Sequence, residues 1–133
     1  MHARASAVLR HLERGSAVAD FVLVSMLVAL VFVGLLQLGF VLHARNTLMA
    51  SAGEGARMGA RADATPADGV ARARELIAAQ LPDRYADAVT GTTETVAGAL
   101  VVRIDVQAPL PIIGPFGPSG GIDVTARAFS EQQ

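Results

Sequence analysis

A chain of 133 residues has room for one membrane-crossing segment and one small domain. A net charge of −1 leaves no electrostatic footprint for nucleic acid, and the absence of cysteine excludes disulfides, thiolate catalysis and Cys-ligated zinc. All eleven basic residues are Arg, which beside abundant Ala and Gly reads as coding bias more than chemistry.

Residues 1–15 form a short basic leader with Arg4, Arg10 and Arg14, helical in character over residues 7–13; His2 and His11 read as solvated. An uninterrupted apolar segment follows, beginning at Phe21 and ending at Leu42, with no charge and only Ser25 and Gln37 notably polar. Its twenty-two residues, at about 1.5 Å each, cover roughly 33 Å against a hydrocarbon core of about 30 Å. Seven Leu, six Val and three Phe favour insertion by roughly 5–10 kcal/mol. The segment is therefore read as a transmembrane helix. A cleaved secretory signal peptide is the rival reading, with an A-x-A match at Ala50-Ser51-Ala52. Against it, the apolar run exceeds a signal h-region of about 7–15 residues, and the A-x-A lies beyond Arg45. Arg4, Arg10 and Arg14 before the span balance Arg45, Arg57 and Arg61 after it, so charge bias gives only a lean toward a cytoplasmic N-terminus.

No proline interrupts the residues after His43, so the helix is expected to continue to about Arg61. Ser51, Gly55 and Gly59, with Ala52, Ala56 and Ala60, form small-residue stripes at four-residue spacing. Such stripes let another backbone come close, which makes Gly55 and Gly59 candidate packing contacts, subunit to subunit or helix to domain. The plain alternative is an Ala/Gly-rich helix shaped by codon bias. Thr65, Pro66 and Asp68 fit the N-cap, first and third positions of a second helix, predicted to run to about Leu81 and stop at Pro82. Its apolar stripe is Val70, Ala73, Leu76, Ile77 and Leu81, with Arg72 and Glu75 toward water.

From Val89 the period becomes two. Over residues 99–108, Leu100, Val102, Ile104, Val106 and Ala108 share one face, and Arg103, Asp105 and Gln107 the other. A weaker strand over residues 92–96 precedes it, joined by an Ala97-Gly98 turn, and residues 122–128 alternate as a third strand. The fold class is α+β: a transmembrane helix extended into a long helix, then an amphipathic helix packed on a small antiparallel sheet of about three strands. Residues 1–15, 16–63 and 64–133 are the expected leader, long helix and extracytoplasmic domain. Between the last two strands, residues 109–121 hold four prolines and four glycines around Leu110, Ile112, Ile113 and Phe116. Ile113 and Phe116 are candidate contacts with a partner or the membrane; a loop folded back onto the small core is the preferred reading.

Sites for chemistry are sparse. His2, His11 and His43 are too dispersed for a metal cluster, no His follows His43, and the Gly-rich segments lack the Lys of a phosphate loop. Asp105 and Asp123 could face one another across strands, but solvated acids are the simpler reading. The expectation is a non-enzyme with no cofactor, metal, nucleic acid or small-molecule substrate.

The most specific feature stands directly before the span. Gly15 is followed five residues later by Asp20 and then by Phe21, which resembles the processing site of type IV prepilins, cut after a Gly with an acid at the fifth mature position. Arg14-Gly15-Ser16-Ala17, the acid and Phe21, followed by an apolar run carrying Gln37-Leu38-Gly39, resemble the TadE family of tight-adherence (Flp) pilus assembly proteins. The resemblance is strongest over residues 14–40. It departs at Asp20, where the family usually has Glu, keeping the charge but shortening the reach by one methylene.

That resemblance implies a minor pilin or pseudopilin cut between Gly15 and Ser16 by a prepilin peptidase. The new Ser16 ammonium would lie one helical turn from Asp20, and the acid would pair with a neighbouring subunit's terminal amine, since an unpaired charge at membrane depth costs a few kcal/mol. Implied partners are the membrane, the prepilin peptidase, the major Flp pilin, a sister minor pilin and the inner-membrane assembly platform with its ATPase. The implied location is the cell membrane, single-pass, with the C-terminal domain outside. Two other readings stand: an uncleaved single-pass protein whose outer domain binds an envelope or secretion-complex partner, and a small secreted domain beginning at Gly53.

Overall fold

The computed structural model describes residues 2–111 and 120–131, with side chains described from residue 15 onward. Helix α1 (His2–Gly59) is followed by α2 (Pro66–Ala78), a 3-10 turn (Asp83–Tyr85) and strands β1 (Ala88–Val96), β2 (Ala99–Pro109) and β3 (Gly121–Phe129). The architecture is α+β, as the periodicity predicts. Contacts divide the chain into two compact units, Met1–Leu38 and Gly39–Gln133.

In the first unit every Val, Leu, Met and Phe from residue 18 to 38 is exposed, the least so being Val33 at 42%. An all-round apolar helix of this length has no internal surface to meet, and exposure on every side is what a lipid-facing helix shows.

In the second unit the three strands form an antiparallel sheet in the order β1-β2-β3. Val102, Ile104, Val106 and Ala108 of β2, with Val89 of β1 and Ile122 and Val124 of β3, bury their side chains on one face. Helix α2 covers that face with Ala73 and Ile77, and Tyr85 of the 3-10 turn joins the same cluster. The α1 residues of this unit contribute Ala44, Leu48, Ala52 and Ala56, one every four residues, which keeps the buried stripe on one side of the helix. Ala60, just past the helix end, extends that stripe and is also buried.

Helix α2 starts where Thr65 caps it. The Thr65 hydroxyl oxygen accepts from the Asp68 N–H at 3.3 Å, and the Asp68 carboxylate accepts from the Thr65 N–H at 2.7 Å, a reciprocal capping box. It ends three residues before the predicted Leu81. The Leu81 N–H still bonds Ile77 at 2.8 Å, but Gln80 bonds the same carbonyl in a tighter turn. The residue before a proline is disfavoured in helical geometry, so Pro82 stops the helix from upstream.

The β1–β2 hairpin closes on Ala97 (φ 50°) and Gly98 (φ 83°), a two-residue turn with both central residues left-handed, as the strand twist requires. Strand β1 begins at Ala88, four residues earlier than the sequence pattern indicates, and pairs without a bulge from Ala88–Gln107 to Val96–Ala99. On the outer face, Asp105 sits opposite Thr125, not Asp123, which is opposite Gln107. Leu100, expected in the apolar stripe, is 39% exposed at the hairpin end, whereas Val101 on the charged face is 3% exposed. Glu94 of β1 pairs with Arg127 of β3, so this ion pair crosses β2 between Val101 and Arg103, and Val101 itself stands between Glu94 and Phe129 in the register.

Candidate functional site

The candidate site is the stretch that opens with Gly15 and continues through the apolar helix. Gly15, Ser16, Asp20 and Phe21 all lie on α1 and are exposed. Among the described residues Phe21, at 72%, is the most exposed large apolar residue. Ser16 and Asp20, four residues apart, share a helix face. A Cβ built on Gly15 would meet nothing within 4 Å, and Asp20 makes no hydrogen bond or ion pair among the described residues. The arrangement offers an accessible backbone at a residue without a side chain, and a free carboxylate one turn beyond it. Gly in a helix interior costs about 0.5–1 kcal/mol relative to Ala, so residue 15 is also a favourable point for local unwinding.

Among the described residues one helix, Gly15–Gly59, is long and apolar enough to cross a membrane. Asp20 and Phe21 stand at the start of its continuous apolar run.

Gly55 and Gly59 face α2 and the sheet. A Cβ on Gly55 would come within 2.6 Å of the Gly69 carbonyl oxygen and 2.9 Å of the Ala73 Cβ; one on Gly59 would meet the Thr65 carbonyl oxygen at 3.1 Å and Val102 at 3.2 Å. Of the two packing readings, helix to domain is the contact the structure contains. Its other half, Gly69, was not recognisable from α2 alone: a Cβ there would lie 2.5 Å from the Gly55 carbonyl oxygen. A glycine inside an otherwise good helix, opposite a small-residue stripe, is the signal that could have found it. Ile113 and Phe116 lie outside the described residues. Neighbouring Leu110 is half-buried and packs on the core cluster.

Elsewhere on the surface several charged residues pair with one another. Arg103 donates to Asp105 through Nε at 2.7 Å and Nη2 at 2.9 Å. Those bonds hold the Asp105 carboxyl below its ordinary range, helped by Thr125, and raise the Arg103 guanidinium. An open cleft of about 420 Å³ is lined by Met58, Arg61, Asp63, Asp68, Arg72 and Glu75. Its charges are already engaged: Arg61 with Asp63 at 3.5 Å, Arg72 with Glu75 at 3.0 Å, Asp68 with Thr65. No group of three or more His, Asp or Glu among the described residues could hold a metal ion.

Comparison with known proteins adds one match. The family model described as TadE-like protein matches residues 15–57, opening at Gly15 and covering the acid, the apolar run and most of the helix that packs on the small domain. No curated protein and no solved structure matches the chain.

Proposed function

We propose that this TadE-like chain is a minor pilin or pseudopilin that takes part in assembly of a tight-adherence (Flp, type IVb-like) pilus, and that it acts as a structural component, not as an enzyme. The observation that carries the reading is the family match beginning at Gly15, directly before the acid and the span. In this reading the leader stays in the cytoplasm, a membrane protease cuts after Gly15, and the small α+β domain lies outside.

The physical sequence is short. Gly15 admits close backbone approach and unwinds at low cost. Cleavage leaves the Ser16 ammonium at a helix N-terminus, where the macrodipole disfavours a cation, and brings Asp20 within one turn as its natural counter-ion. In a bundle of such helices the acid of one subunit would neutralise the amine of the next, avoiding a charge left alone in lipid. The apolar helix then serves first as anchor and later as packing surface. The partners would be the prepilin peptidase, the major Flp pilin, a sister minor pilin and the assembly platform.

Mass analysis of the mature N-terminus tests this directly. In cells with an active prepilin peptidase the membrane-bound chain is expected to begin at Ser16, and Gly15→Val to leave it uncut. A chain still beginning at Met1 or His2 would overturn the processing step and favour an uncleaved single-pass protein. Asp20→Ala is expected to be cut but to reduce incorporation into filaments, scored by co-purification with sheared pili.

A further inference from the structure

The small domain begins before the apolar run has ended. Residues 39–42, the last of that run, belong to the second compact unit. Val41 is already half-buried, although Leu42 beside it is exposed. Ala44 and Leu48, which follow Val41 on the same side of α1, are buried. At about 1.5 Å per residue, Ala44 stands only about 3 Å past Leu42. The head-group layer on each side of a bilayer is roughly 5–7 Å deep, so whatever covers Ala44 lies within it.

The packing of this unit shows which end of the domain that is. A Cβ on Gly59 would meet Thr65 and Val102, and one on Gly55 would meet Gly69 and Ala73, so α2 runs back along α1 toward Ala44. Strand β2 runs the same way. Val70 of α2 approaches Gly91, opposite Ile104, and Arg74 donates to the Val89 carbonyl, opposite Val106, at 3.2 Å. The far end is fixed by the Glu131 N–H, which donates to the Ala60 carbonyl at 2.7 Å, and by the Ser130 N–H, which donates to Leu100 at 2.8 Å. From Val102 to Pro109 the strand covers about 23 Å, and from Gly59 back to Ala44 the helix covers about the same. Leu110 and Pro111 therefore stand level with Ala44. The turn Asp83–Tyr85 lies at that end too, just before Ala88 and its partner Gln107.

We propose that this end of the small domain is a lipid-contact surface, seated in the head-group layer of the bilayer that holds α1. The inference rests on reading residues 21–42 as a membrane span. Helix α1 is continuous through Leu42 and Ala44, with no linker to lift the domain away. Leu110 and Pro111, both half-buried, present their open sides to lipid. Arg45 and Arg84, both exposed, reach the lipid phosphates from the same level. Asp83 and Asp87 are exposed at this end as well and offset the two cations, so position along the helix sets the contact, not charge.

The chain has no cysteine, so a single labelled thiol reports alone. The full chain is reconstituted in phosphatidylethanolamine/phosphatidylglycerol vesicles with a bimane at Arg84→Cys, Pro111→Cys or Phe129→Cys. Lipids carrying a nitroxide at the head group or high on the acyl chain serve as quenchers, and bilayer integration is scored separately by resistance to alkaline carbonate. Labels at 84 and 111 are expected to lose most of their emission, and the label at 129, roughly 20 Å farther out, to keep nearly all of it. The same losses are expected in phosphatidylcholine alone. An integrated chain quenched equally at all three positions, or at neither 84 nor 111, would overturn the lipid contact and leave the anchor standing. Quenching confined to phosphatidylglycerol vesicles would also overturn it and assign this end to charge-selective lipid binding. A carbonate-extractable chain would overturn the anchor reading and the lipid contact together.

Discussion

At the scale of single residues, the small domain is governed by glycines that make room and by carboxylates already bonded. Gly55 and Gly69 stack backbone on backbone, so a methyl on either must displace main chain, which cannot move as a flexible side chain does. Gly69→Ala should therefore cost about 1–3 kcal/mol as overpacking. Gly53, on the same helix but with nothing within 4 Å of its Cβ position, should gain about 0.5–1 kcal/mol on replacement by Ala. Thermal melts of the full chain in detergent, followed by circular dichroism, would separate the two. Asp105 is held below the usual carboxylate range mainly by Arg103, and Asp68 mainly by the Thr65 hydroxyl. A carboxylate depressed on folding stabilises the folded state above its unfolded pKa, about 4, and the gain is lost as pH falls through the folded value. Melting temperature should thus be insensitive to these groups at neutral pH and fall below about pH 4, and Asp105→Asn should flatten part of that fall.

Among elements, legibility followed how local the determining chemistry is. The start of α2 could be read because Thr65, Pro66 and Asp68 make their own cap, and β2 because its side chains alternate cleanly over its whole length. The first four residues of β1 could not. Residues 88–91 run Ala-Val-Thr-Gly, and Gly91 sits there because the Val70 side chain and the Pro66 carbonyl of α2 approach it, a tertiary reason with no local trace. The 3-10 turn was missed for a similar reason, since Tyr85 is buried at 2% as a single aromatic with no periodicity around it. Val101 escaped because its neighbours, Glu94 of β1 and Phe129 of β3, are placed beside it only by the strand pairing. The hairpin turn itself carries a testable cost: Ala97 holds φ 50°, a region that disfavours residues with a Cβ. Ala97→Asn, which tolerates that geometry ahead of Gly98, should raise stability by up to about 1 kcal/mol, read as a shift of the urea midpoint without a change in slope.

For the whole molecule the decisive quantity is the balance between the apolar run and anything set against it. The candidate processing residues are read from their linear order beside the span. The sixteen Leu, Val and Phe residues of the run favour insertion by roughly 5–10 kcal/mol. Replacing one of them near the centre by Arg exchanges a gain of about 0.3–0.6 kcal/mol for a cost of about 2.5–3.5 kcal/mol, a swing of roughly 3–4 kcal/mol. Val31→Arg alone should therefore remain resistant to carbonate extraction. Adding Leu35→Arg, one turn away, brings the total swing to roughly 6–8 kcal/mol, comparable to the whole driving force, and should leave the chain divided between membrane and soluble fractions. A third change, Leu27→Arg, should release it. A graded loss over one, two and three arginines is what an insertion equilibrium gives. Complete release by Val31→Arg alone would mean that the run is held by far less than its composition supplies.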